Sequence, residues 1–62
     1  MKTLMLHLRD DMDAQEARRL QGELAVLPGV VEALVIVAEG MAYLKVDPHT
    51  FDPHRLEAFD IS

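Results

Sequence analysis

Sixty-two residues without a cysteine make one small domain, and a chain of this length hides only about 60% of the surface its unfolded form exposes. Disulfides, thiolate metal sites and thiol nucleophiles are therefore excluded, and the reinforcement that very small domains need has to come from elsewhere, with self-association the obvious source. Eleven carboxylates against six Lys and Arg leave a net charge of -5, which repels nucleic-acid phosphates and anionic lipid and argues against both as partners.

The opening stretch MKTLMLHLRD has only short apolar runs broken by His7 and Arg9, too short for a signal-peptide core or a membrane span, so a cytoplasmic protein is expected. Leu4, Leu6 and Leu8 alternate with Met5, His7 and Arg9, the two-residue period of a strand with one apolar face. Asp13, with Glu16 three residues later, matches a capping box and predicts a helix from Ala14. Ala17, Leu20, Leu24 and Leu27 form its apolar stripe, while Glu16, Arg18, Arg19 and Glu23 face water, and Pro28 and Gly29 end it. VVEALVIVA is β-branched and nearly continuous, Glu39-Gly40 turns the chain, and MAYLKV alternates again, so residues 30–46 read as a hairpin.

Asp47-Pro48 closes the third strand, and Asp52-Pro53 starts a second, short helix carrying Leu56 and Phe59. The right-handed crossover rule then sets strand three between strands one and two, antiparallel to both. The expected architecture is α+β, ferredoxin-like β-α-β-β-α, with an antiparallel three-stranded sheet, both helices on one face and the usual fourth strand missing. The tripeptide DPH at 47–49 and 52–54 is too short to mark a structural repeat.

With that order established, LAVLPGVVEALVIVAEGMAYLKVDP resembles the middle of the heavy-metal-associated domain family, the small copper chaperones and the N-terminal modules of metal-pumping ATPases. The shared features are the leucines of the first helix, Leu27-Pro28-Gly29-Val30, the hairpin glycine Gly40, and Asp47-Pro48. In that family the first loop reads Gly-Met-x-Cys-x-x-Cys and its two thiolates hold a soft metal ion. On this chain Asp11 takes the place of the glycine, Met12 matches the methionine, and Ala14 and Ala17 stand at the cysteine positions. The resemblance, over residues 3–59, implies a degenerate member that has lost its metal ligands, with no metal or other cofactor expected.

Asp10, Asp11, Asp13 and Glu16 lack the oxygen spacing and turn glycine of a calcium loop, and carboxylates at a helix start are favoured by the helix dipole alone. Met12 is expected to pack under the loop as a flexible filler. His49 and His54 lack the spacing of a zinc pair and read as solvent-exposed, and His7 reads as a surface or interface residue. Enzyme chemistry is not expected: the chain has no Asn, its single serine is Ser62, and Thr3 and Thr50 have no evident base. An acylphosphatase-type site, which other proteins of this general fold carry, needs an arginine and asparagine pair that cannot be assembled.

The informative feature is the outward sheet face. If the strand-one leucines point at the helices, Met5, His7, Leu34, Ile36, Met41 and Tyr43 share the opposite side and form an apolar patch from three strands, which marks an interface. A missing fourth strand would also leave the strand-one edge unpaired, open to a second copy or a partner's strand. The expected function is a non-catalytic binding module acting through protein contacts or self-association as a homo-oligomer, a dimer in the simplest case. Two alternatives stand beside it: a metal-ion carrier or sensor using Met12, His7, His49 or His54 in place of the cysteines, and a small-molecule regulatory domain, for which no ligand motif speaks.

Overall fold

The alternation of Leu4 and Leu6 with Met5 and His7 produces the first strand, β1 (Lys2–His7), whose leucines turn inward while Met5 and His7 stay exposed. The structure, a computed structural model, describes residues 1–59. After β1 come helix α1 (Ala14–Ala25), strand β2 (Val30–Ile36), a one-turn 3-10 helix at Val37–Glu39, strand β3 (Met41–Val46) and a second 3-10 helix at Pro53–Ala58. The result is a small α+β domain: one antiparallel three-stranded sheet in the order β1-β3-β2, with one α-helix. The central place of β3 agrees with the crossover argument.

Helix α1 starts where the cap predicts. Asp13 has extended backbone and its side chain accepts from the Glu16 N–H at 2.8 Å. The other half of a capping box is replaced, because the Glu16 carboxylate takes the Arg9 guanidinium as its partner. Asp13→Ala removes the acceptor for an otherwise orphaned helix amide and is expected to cost about 1 kcal/mol, read from the urea midpoint at unchanged slope. A destabilisation within about 0.3 kcal/mol would show the cap to be idle.

The stripe Ala17, Leu20 and Leu24 is buried as read from the sequence, but the helix stops at Ala25, before Leu27. Pro28 explains the early stop: it biases Leu27 away from helical backbone, and its ring in a continued helix would strike the Leu24 carbonyl. That carbonyl instead accepts from the Leu27 N–H at 3.2 Å. The core gathers Leu6, Leu8, Leu20, Leu24, Ala42, Leu44, Val46 and Phe51, with Met12, Leu56 and Phe59 among the half-buried groups around it.

Two expectations need correction. The run VVEALVIVA predicts a strand to Ala38, but β2 ends at Ile36, because Val37–Glu39 coil into a 3-10 turn closed by Gly40 N–H to the Val37 carbonyl, with Gly40 left-handed at φ 66. The second helix is a 3-10 helix rather than an α-helix. Its predicted cap is present, since Asp52 accepts from the His54 N–H at 3.0 Å with Pro53 at the first position. Along β2, Val31 and Leu34 are exposed, and a register shift between Val30 and Glu32 leaves Val31 without a partner on β3. Such a bulge locally interrupts the ladder at an edge. A fourth strand would follow Phe59, and residues 60–62 lie outside the described part of the chain.

Candidate functional site

The sheet register brings the six predicted interface residues together. Met5 lies opposite Tyr43, and Tyr43 opposite Leu34; one step along, His7 lies opposite Met41, and Met41 opposite Ile36. Residues directly opposite in an antiparallel pair share a face, so these are two parallel rows of three on the side away from α1. Met5 and Leu34 are 67% and 47% exposed, His7 is exposed, and Ile36, Met41 and Tyr43 are half-buried. A third row, Thr3, Lys45 and Glu32, borders them and is polar. The surface is thus an apolar strip with a charged margin, the layout of a contact patch.

Tyr43 is fixed within it. Its hydroxyl donates to the Glu39 carboxylate at 2.8 Å, reaching back to the 3-10 turn that enters β3. That hydrogen bond is the main cause holding the phenol above its ordinary value of 10.0. The contact therefore favours the fold below pH 10.0 and is lost as pH rises through the raised value.

The two outer edges of the sheet differ. On β2 the Val35 N–H, which points out of the sheet, donates to the Gln21 side chain of α1 at 2.9 Å, and the bulge at Val31 interrupts the same edge. On β1, no strand among the described residues pairs with the side turned away from β3. Nothing in the local pattern signals the Gln21 contact, since a glutamine on a helix reads as a solvated residue until the helix is laid over the sheet.

At the first loop, Asp11 and Ala14 are exposed, Met12 is half-buried against the core, and Ala17 is buried in the helix stripe. Arg9 crosses this loop, bonding Glu16 and lying 3.8 Å from the Asp11 carboxylate. Its cation is thus placed beside two of the loop's acidic side chains. No group of three or more His, Asp or Glu among the described residues is arranged to hold a metal. His49 and His54 are exposed.

Both copies of DPH form the same turn: Asp47 accepts from the His49 N–H and Asp52 from the His54 N–H, each at 3.0 Å. This is the Asx turn that an aspartate before a proline favours. Asp52 also meets the His54 ring at 3.0 Å, and the backbone bond, then the ring, hold its carboxyl below the ordinary 3.8. A depressed carboxyl favours the turn above the ordinary value and releases it as pH falls through the lowered one. The His54 amide resonance should accordingly titrate with a midpoint below 3.8; a midpoint at or above that value would contradict the cap.

No family model, curated protein or solved structure matches the chain. No helix among the described residues is long and apolar enough to cross a membrane.

Proposed function

We propose that the chain is a small non-catalytic binding module of ferredoxin-like design, similar to the heavy-metal-associated domains but without their thiolate site, that works through protein contacts at its outer sheet face and the adjoining β1 edge. The observation that carries this reading is the register: Met5, Tyr43 and Leu34 in one cross-strand row, with His7, Met41 and Ile36 beside it. Self-association suits a chain that hides only about 60% of its unfolded surface when it folds alone. A cytoplasmic setting fits a cysteine-free chain of this kind.

The test is a copper(I) and zinc titration against a competing chelator, with Ala14→Cys/Ala17→Cys as control. The control pair lies one helical turn apart on the first turn of α1, at the spacing whose side chains meet. Tight binding by the double variant alone supports the reading. Tight binding by the native chain replaces it with metal carriage by Met12 and the histidines, and binding by neither removes the loop alignment on which the family resemblance rests.

A further inference from the structure

The β1 edge turned away from β3, on which no strand among the described residues pairs, has a defined set of backbone groups. Leu8 N–H donates to the Gly40 carbonyl at 3.0 Å, and Leu8 follows directly on the β1–β3 register, in which His7 faces Met41. Backbone groups in an antiparallel ladder alternate in direction. Leu8, Leu6, Leu4 and Lys2 therefore bond to β3, while the N–H and C=O groups of Thr3, Met5 and His7 point out of the sheet.

We propose that this edge pairs with itself: two copies join antiparallel through β1 about a two-fold axis at Met5, extending the three-stranded sheet to six strands. The inference rests on the binding reading above and names its partner as a second copy of this chain. Four observations favour that occupant.

First, the register is self-complementary. With Met5 on the axis, Thr3 faces His7 of the second copy, so all three outward-pointing residues are paired and about six hydrogen bonds form. Leu4 then faces Leu6 of the second copy on the inner side, which covers a leucine that one copy leaves half-buried.

Second, the outer rows become continuous. Leu34, Tyr43 and Met5 of one copy run into Met5, Tyr43 and Leu34 of the other, so the most exposed member of the strip, Met5 at 67%, lies at the junction.

Third, the charges suit that direction. Lys2 lies at the start of the strand, and beyond its end the chain runs through Arg9, which is held by Glu16 and lies near Asp11, into Asp10 and Asp11. Parallel pairing would stack Lys2 on Lys2 and Asp10 on Asp10, whereas antiparallel pairing keeps these like charges apart.

Fourth, the assembly closes. Gln21 takes the outward Val35 N–H of the β2 edge and the Val31 bulge interrupts the same edge, so the two-fold contact joins the copies through the more regular edge and is not readily repeated at the other.

The experiment uses the full 62-residue chain in sedimentation equilibrium over a dilution series, native and as Met5→Pro. Proline at residue 5 deletes only an outward-pointing N–H and leaves the bonds to β3 in place, as proline on an edge strand can. The native chain is expected at twice the 7.0 kDa of one copy, and Met5→Pro at the single-chain mass with an unchanged circular dichroism spectrum.

Air oxidation of Met5→Cys provides the second readout, because the chain has no other thiol. Two residues facing each other in a hydrogen-bonded pair are about 5.5 Å apart at Cα, within disulfide reach. Met5→Cys is expected to become a covalent dimer at a rate well above that of Leu34→Cys, which lies on the far strand.

A native chain of single-copy mass overturns the proposal. So does a folded Met5→Pro that keeps the double mass, or crosslinking through Leu34→Cys in preference to Met5→Cys, which would indicate face-to-face contact instead. If Met5→Pro fails to fold, the cysteine pair decides. These failures leave the binding reading standing; that reading falls only to tight metal binding by the native chain.

Discussion

Gly29→Ala is expected to abolish the cooperative unfolding transition, or to lower Tm by at least about 15 °C, because two independent penalties meet at one atom. Gly29 is left-handed at φ 86, where a side chain costs roughly 1–2 kcal/mol. A Cβ would also fall 2.5 Å from the backbone nitrogen of Phe51 and 2.7 Å from its Cα, and backbone cannot swing aside as a side chain does. The neighbourhood is tied down as well: the Gly29 carbonyl accepts from Asp47 N–H at 2.8 Å, and the Asp47 carbonyl in turn accepts from Phe51 N–H at 2.9 Å. A combined loss above about 3 kcal/mol is a large share of the roughly 3–9 kcal/mol that a domain of this length commands.

Two other glycines serve as controls. Gly40 is left-handed at φ 66 but has open space around it, and Gly22 lies in the helix with nothing near. Gly40→Ala should cost about 1 kcal/mol, and Gly22→Ala should gain up to about 1 kcal/mol. If Gly29→Ala melts within about 5 °C of the native chain, the close approach to Phe51 is wrong.

Leu44→Ala is expected to cost about 3–5 kcal/mol, measured by urea unfolding at fixed protein concentration so that any association contributes equally to both chains. Leu44 is 0% exposed at the middle of the central strand, between Leu4 on β1 and Ala33 on β2, and belongs to one core with Leu24 and Val46. Truncation there leaves a cavity that neighbours on two strands and a helix cannot all collapse to fill. Its chain neighbour Lys45 is exposed, and Lys45→Ala should stay within about 0.5 kcal/mol. A cost below about 1.5 kcal/mol for Leu44→Ala would mean that the core is looser than described.

These two predictions bear on function because the same fixed scaffold sets the outer face. The rows Met5–Tyr43–Leu34 and His7–Met41–Ile36 exist only in the observed register, and a slip of one residue would turn them into the core. Leu44 and its inward partners lock that register. In the proposed dimer, strand pairing and buried apolar area would add to the small stability of a domain of this length.

Much of the arrangement was legible in local patterns. The two-residue period of Leu4 and Leu6, the helix stripe of Ala17, Leu20 and Leu24, and the two aspartate caps specified elements because each signal acts within a few residues. Phase along a strand likewise named the outer-face residues, since alternation settles which side chains share a side. Phe51, the one large apolar residue in DPHTFDPH, is buried; it directly precedes the Asp52 cap, and Leu56 lies four places after that cap. That is the spacing of a hydrophobic staple, a signal the sequence does carry.

What the sequence by itself determined, then, is the three strands and α1, the caps and the two faces of each strand, all consequences of short-range periodicity. The tertiary structure alone decided that Val37–Glu39 coil rather than extend, that the backbone of Phe51 presses on Gly29, and that Gln21 takes the Val35 N–H at the β2 edge while no described strand pairs with the outer side of β1. Each of these depends on segments distant in the chain arriving at one place, and which backbone groups find partners is fixed only when the layers are assembled.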